Sequence, residues 1–224
     1  MTVPSVALLV IFPELIHAKF VVETLVPLMG LPHISMLLTK IGMRSEYARE
    51  VLIRQFLEMP EYEWLFIVDC DMLIPQDALP KLLNSGKKVI SGLYFSRGDR
   101  TWPIVFREEE PVGRFPMSRW FDYPDGGVYP VGATGHGCLL IHKSVLEQLE
   151  PPYSQLGPFM DEPLVGSDVR LCLKIRDETN EKIWCDFSVR CGHLTTRAVE
   201  EKDWEAIKEQ SIAEWTNYLR EREK

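Results

Sequence analysis

Positive charge is in short supply in this chain. Its 224 residues hold 25 lysines and arginines against 33 aspartates and glutamates, a formal net charge of -8 at pH 7. That balance sets nucleic-acid binding aside, since such proteins need a basic face, and it works against docking on an anionic membrane. Cysteine is scarce as well. Cys70, Cys138, Cys172, Cys185 and Cys191 are an odd number with no C-x-x-C pair. A disulfide framework or a zinc site is not expected, and a reducing, cytoplasmic compartment is. All five read as small buried apolar groups. Long apolar runs are missing. The longest near the N-terminus, Val6 to Phe12, falls short of the roughly 20 residues a spanning helix needs. It has neither a basic n-region nor a small-residue cleavage site, so no signal peptide is expected. No repeat, low-complexity segment or linker is visible, so a single domain is the economical reading. At 46% apolar and 26% charged, the composition is that of an ordinary globular chain long enough to bury a core.

What the chain does have is alternation of strand and helix patterns in its first half. Val6 to Phe12 reads as a buried strand stopped by Pro13, and Leu15 to Met29 as a helix ended by Gly30. Ile34 to Leu38 is a second strand, and Ser45 can cap a helix to about Leu57. Trp64 to Val68 is a third strand. Pro75 opens a short helix through Leu83, ended by Gly86, and Lys88 to Phe95 is a further strand. Repeated β-α-β units of this kind predict an α/β fold with a mostly parallel, Rossmann-like sheet covered by helices on both faces. From Arg97 to Pro130 no period survives, and a long binding or packing loop is expected. Val131 to Thr134 and Cys138 to Ile141 are short apolar pieces. Ser144 caps a short helix to Leu149, 152–165 is a loop, Ser167 caps a helix to about Asp177, and Ile183 to Asp186 is a late strand. Residues 198–224 read as a polar helix docked on the same domain, with Trp204, Ile207, Ile212, Trp215 and Leu219 roughly on one stripe.

The third strand ends in Val68-Asp69-Cys70-Asp71. Strand residues at i and i+2 share a face, so Asp69 and Asp71 are expected to project together. They do so at the carboxyl end of a strand, where open α/β sheets bind ligands. Two hard oxygen donors suit a divalent cation and the phosphates it travels with. His193, after the late strand, is either a third metal ligand or a structural histidine; imidazole among oxygens favours Mn²⁺ over Mg²⁺. Asp168, in the first turn of a predicted helix, either answers the helix dipole or serves as a general base. Gly135-His136-Gly137 is either a tight bend or a place where backbone meets ligand, and it is neither a P-loop nor a dinucleotide fingerprint. Arg49 is either a solvated helical arginine or a phosphate contact. Trp102, Trp120, Phe121 and Tyr123 either offer faces to a ligand or pack the loop down.

Taken in order, Ala48-Arg49, WLFIVDCDMLIPQDAL, SGLYF, ATGHGCLLI, GSDVRLC and IWCDFSVRCGHL resemble glycosyltransferases of the GT-A fold. The similarity is to family 2, among its small phage and bacterial members, and it runs from the first strand to about Leu194. It implies a nucleotide-sugar donor whose diphosphate is held on Mn²⁺ or Mg²⁺. By that resemblance Asp69 and Asp71 match the D-x-D carboxylates, and His193 a histidine that completes the metal site. Asp168 matches the catalytic base. Gly135, His136 and Gly137 match the wall where donor sugar and acceptor meet, and Pro13 and Glu14 match the nucleobase pocket. The implied reaction is inverting transfer from a UDP-sugar, or next a GDP-sugar, to an acceptor hydroxyl. Three positions depart from the pattern. Ser167 stands where a second acid is usual, His136 where a small residue is common, and Glu50 where asparagine is frequent.

Rival readings are set by what is missing. A sugar-nucleotide pyrophosphorylase needs a glycine-rich basic loop where this chain has Phe12-Pro13-Glu14-Leu15. An aspartate-nucleophile phosphatase normally has threonine or valine where Leu73 stands. A non-catalytic domain that binds nucleotide or glycan on the same fold is the remaining alternative.

Overall fold

A computed structural model describes residues 3–97, 101–112, 115–154, 166–195 and 198–222. Strand β1 (Val6–Phe12) is followed by a helix in three pieces: α1 (Ala18–Phe20), a π-helical turn Val21–Leu25, and α2 (Val26–Met29). Then come β2 (Ile34–Ile41), α3 (Ser45–Leu57), β3 (Trp64–Val68), β4 (Met72–Leu73), α4 (Ala78–Asn84) and β5 (Val89–Leu93). The second half holds β6 (Val105–Val112), β7 (Phe115–Arg119), β8 (Val128–Val131), β9 (Ala133–Thr134), β10 (Cys138–His142) and α5 (Lys143–Leu146). It ends with α6 (Ser167–Glu178), β11 (Ile183–Arg190), β12 (Gly192–Leu194), β13 (Ala198–Val199), α7 (Glu201–Glu205) and α8 (Lys208–Arg222).

The central sheet has seven strands in the order β2-β1-β3-β10-β5-β11-β8. Five run in one direction, while β10 and β8 oppose their neighbours. Alternation along each strand divides the core in two. Ala7, Leu9, Leu65, Ile67, Leu139 and Ile141 pack on one side with Leu52 and Phe56 of α3 and Leu171 and Ile175 of α6. Val6, Leu8, Phe66, Val68, Cys138 and Leu140 pack on the other with Phe20, Leu28, Leu79 and Leu82. Helices therefore cover both faces, as the near-continuous apolar strands require.

Several boundaries depart from the sequence expectation. Ser45 and Ser167 are the first helical residues rather than caps, with Arg44 and Gly166 in the capping positions. The Arg97 to Pro130 segment is not a loop throughout, because β6 and β7 form a hairpin extended by β9. Its charged run Arg107-Glu108-Glu109-Glu110 lacks the polar and apolar alternation that marks a strand. The aromatics there pack inward: Trp120 meets Phe187 edge-on at 5.2 Å and Tyr123 stacks on Phe187 at 5.8 Å. The 198–224 segment opens with a strand, β13, paired to β12, and then breaks into two helices. Trp204 is fully buried, stacked on Phe95 at 6.1 Å and on Phe121 at 5.7 Å. The loop expected at 152–165 lies outside the described residues from position 155 onward. All five cysteines are free thiols. Among the described residues, no helix is long and apolar enough to cross a membrane.

Candidate functional site

β3 delivers the acidic motif to the carboxyl edge of the sheet, and there the strand geometry stops. The chain turns immediately, with the Met72 amide donating to the Asp69 carbonyl at 3.1 Å. Two-residue alternation no longer applies beyond Val68, so Asp69 and Asp71 reach different partners. Asp69 Oδ1 accepts from Arg49 Nη2 at 2.8 Å. Arg49 projects from α3 with its side chain only 6% exposed, and its Nη1 lies 3.4 Å from Ser167 Oγ at the start of α6. One guanidinium thus ties together the acidic motif and two helices.

Asp71 belongs to a second cluster. β4 pairs with β12 so that Met72 sits opposite His193, and the Leu194 amide donates to the Asp71 carbonyl at 2.7 Å. This register brings His193 Nε2 to 3.5 Å from Asp71 Oδ1, while Arg97 Nη1 lies 2.5 Å from Asp71 Oδ2. Burial works against the charge of Asp71, but the His193 hydrogen bond and the charges of His193 and Arg97 outweigh it and hold its carboxyl below the usual range. His193 Nδ1 is 2.7 Å from the Phe95 carbonyl. A carbonyl only accepts, so Nδ1 donates to it; Nε2 is turned to Asp71, donating to its carboxylate when it carries a proton and free to ligate a cation once it gives that proton up. A backbone carbonyl holding one ring nitrogen in this way is how ligating histidines are oriented. Asp71 and His193 therefore form a donor pair whose chemistry fits Mn²⁺ or Mg²⁺. Asp69, drawn to Arg49, does not complete a trio with them, and no cluster of three Asp, Glu, His or Cys side chains suited to a metal occurs among the described residues.

Asp168 is the second residue of α6, and its Oδ1 accepts from the Val169 amide at 2.8 Å. Burial pushes its carboxyl above the ordinary range and Asp69 adds to this, against the opposing pull of the Val169 amide and Arg49. Gly166 makes room for that carboxylate, since a Cβ there would stand 2.4 Å from Asp168 Oδ1.

The glycines flanking His136 make room for a neighbour. Tyr94 lies beneath them, its hydroxyl accepting from the Gly137 amide at 3.2 Å. A Cβ on Gly135 would meet that hydroxyl at 1.8 Å, and one on Gly137 would meet Tyr94 Cζ at 2.8 Å. Burial raises the Tyr94 phenol well above its usual pKa, so it stays protonated. His136 is 2% exposed and lies in the wall of a pocket shared with Glu46, Arg49, Asp69, Ser167 and Asp168. Pro13 and Glu14 are exposed past the end of β1 and do not line that pocket.

The structure thus joins Arg49, Asp69, His136 and Asp168 around one pocket and Asp71 with His193 beside it. Arg97 and Tyr94 were not anticipated from the sequence. For Arg97 the available signal was a cation just past a strand of the same sheet. Tyr94, two residues beyond Gly92 in an apolar run, gave none.

No family model matches this chain, and no curated protein does. Among solved structures it is similar to one described as A197 from STIV, at 18% identity with a TM-score of 0.61, covering 88% of this chain and 91% of that one. That likeness shows a shared mixed α/β fold. A glycosyltransferase involved in the glycosylation of the major capsid of PBCV-1 matches over 64% of this chain and 63% of that one. At 15% identity and a TM-score of 0.33 it is too distant to bear on function.

Proposed function

We propose that this chain is a metal-dependent, inverting glycosyltransferase of the GT-A type. Its donor is a nucleotide-diphosphate sugar, a UDP-sugar first and a GDP-sugar next, its acceptor is a hydroxyl, and its setting is the cytoplasm. The observation that carries this reading is the meeting of a carboxylate of raised proton affinity, Asp168, with the Arg49 guanidinium in one pocket at the carboxyl edge of the sheet.

Asp71 and His193 would hold Mn²⁺ or Mg²⁺. When bound, the cation supplies Lewis-acid neutralisation of a leaving diphosphate. Arg49 and Arg97, each already paired to a motif carboxylate, give phosphate oxygens two further cationic partners. Asp168 takes the proton of the acceptor hydroxyl as that oxygen bonds to the anomeric carbon. The bond from that carbon to the phosphate oxygen breaks, the diphosphate leaves with the electron pair, and attack from the opposite face inverts the centre. Pro13 and Glu14 are assigned to the nucleobase, at the end of β1 beside β3.

A second reading, nucleotide or glycan binding without transfer, draws on one observation. Both motif carboxylates are engaged by arginines and only one acid, Asp168, stands at the base position. A thermal-shift panel of UDP, GDP, CDP and dTDP, each with and without Mn²⁺, tests the proposal, because a ligand of the native state raises its melting temperature. A manganese-dependent shift with UDP or GDP is expected. No shift with any nucleotide would refute the transferase reading and leave only the glycan form of the second, and nucleotide binding without sugar transfer would favour the second.

A further inference from the structure

The proposed chemistry gives no role to His136 in the pocket wall. Among the described residues neither of its buried ring nitrogens has a hydrogen-bond partner, in a side chain 2% exposed. Buried polar atoms in native proteins are nearly always satisfied, and an orphan at a pocket calls for a ligand or water to complete it. Nothing about the backbone forces the imidazole into this place. The flanking glycines accommodate Tyr94, and neither takes a positive φ. An apolar residue would seal the same wall without leaving two nitrogens unpaired.

The surroundings restrict what the ring can recognise. Glu46, Arg49, Asp69 and Asp168 carry the charges of the pocket. Burial, reinforced by the Arg49 charge, holds the His136 pKa well below its usual value, so the ring is neutral. A neutral imidazole has one donor nitrogen and one acceptor nitrogen. It therefore suits a group that also both gives and takes a hydrogen bond, which describes a sugar hydroxyl and not a phosphate oxygen or a carboxylate.

We infer that His136 is a specificity-determining residue that reads a ring hydroxyl of the donor sugar between Asp69 and Asp168. This rests on the glycosyltransferase reading and narrows it to donors whose sugar carries a free hydroxyl at the position facing the imidazole. His136 is assigned to the donor rather than the acceptor because the same pocket holds Arg49, the cation placed for the diphosphate end.

The test compares UDP-glucose with UDP, and GDP-mannose with GDP, by calorimetric titration in Mn²⁺ without acceptor. The proteins are the wild type, His136→Phe and His136→Gln. A site built for a hydroxyl loses affinity when its partner atoms go, so His136→Phe is expected to weaken the sugar nucleotide about tenfold and leave the free diphosphate unchanged. His136→Gln, which keeps a donor and an acceptor, should recover part of that loss. The ligand-free Phe variant should melt no lower than the wild type, because an apolar ring leaves no unpaired nitrogen. Equal weakening of UDP and UDP-glucose, or a lower melting point with no rescue by Gln, would mean that His136 is structural and overturn the inference alone. Unchanged donor binding with a raised acceptor KM would overturn it in favour of the acceptor. If the wild type binds no nucleotide or sugar nucleotide, the glycosyltransferase reading falls and this inference with it.

Discussion

Substituting alanine for Gly166 is the sharpest way to ask whether the seat of Asp168 matters. Gly166 has φ -58° and ψ 152°, values that alanine adopts without strain, so the backbone has no reason to move. The new methyl would lie 2.4 Å from Asp168 Oδ1 and 3.5 Å from its Cγ. Ordinary contact begins near 3.4 Å, so the oxygen must withdraw by about 1 Å, the difference between the two. Withdrawal breaks the 2.8 Å bond from the Val169 amide, and a hydrogen bond to a charged group contributes roughly 1.5–3 kcal/mol. Part of that loss is offset by the about 0.4–1 kcal/mol that glycine-to-alanine gains in the unfolded chain. The melting temperature should therefore fall by no more than about 10 °C. Catalysis is more exposed, since a reacting group displaced by ~1 Å costs about 100-fold. Initial rates of UDP release, at saturating donor and acceptor, should show kcat down by about two orders of magnitude with donor KM unchanged. An unchanged kcat in a folded variant would refute the claim that Gly166 positions the base. A melting point lowered by more than about 10 °C would show that the methyl disrupts the backbone instead.

Three further outcomes are expected. The raised pKa of Asp168 means that the native state holds this proton more tightly than the unfolded chain, so its contribution to stability is present below the unfolded value and lost as pH rises through the folded one. Asp168→Asn should thus melt above the wild type at pH 8, converge with it below about pH 4, and bind donor without transferring sugar; a variant less stable at pH 8 contradicts the assigned direction. Asp71 has the opposite sign, stabilising above its unfolded pKa and losing that contribution as pH falls through a depressed folded value. Asp71→Asn should cost about 1–3 kcal/mol at neutral pH, because His193 and Arg97 lose their partner, and should flatten the acid limb of stability. Retention of the wild-type acid limb would show that other carboxylates set it. Gly135→Ala places a Cβ 1.8 Å from the Tyr94 hydroxyl and should cost about 3 kcal/mol, whereas Tyr94→Phe alone should cost about 1 kcal/mol. Urea denaturation of the double variant should reveal less than the sum, because the hydroxyl that clashes is gone; additivity within about 0.5 kcal/mol would rule out the direct contact.

The parts of this molecule written in the sequence are those governed by local periodicity. β1 and β3 begin and end where the apolar runs do, and α3 and α6 start at Ser45 and Ser167. What escaped depended on partners remote in sequence. The β6–β7 hairpin has no alternating pattern of its own, and β9 pairs with its Val105 and Phe106. The divergence of Asp69 from Asp71 was hidden because the strand stops at Val68 and both carboxylates fall in a turn closed by the Met72 amide, where the i, i+2 rule no longer holds. The engagement of Asp69 by Arg49 spans 20 residues, and that of Asp71 by Arg97 and His193 spans 26 and 122. The glycines around His136 illustrate the same limit. Their presence was visible, but the reason, a tyrosine lying more than 40 residues earlier, was not.

Trp204 gives the C-terminal segment a reach beyond its own packing. Its ring lies on Phe95, and the backbone of that same phenylalanine holds the His193 imidazole. The smallest transplantable unit of this protein therefore extends through α7. A graft or truncation that stops at 197 would remove the ring stacked between Phe95 and Phe121 and leave the carbonyl that aims the histidine on an unclamped residue. Any attempt to move this scaffold's chemistry into another chain has to carry the tail with it.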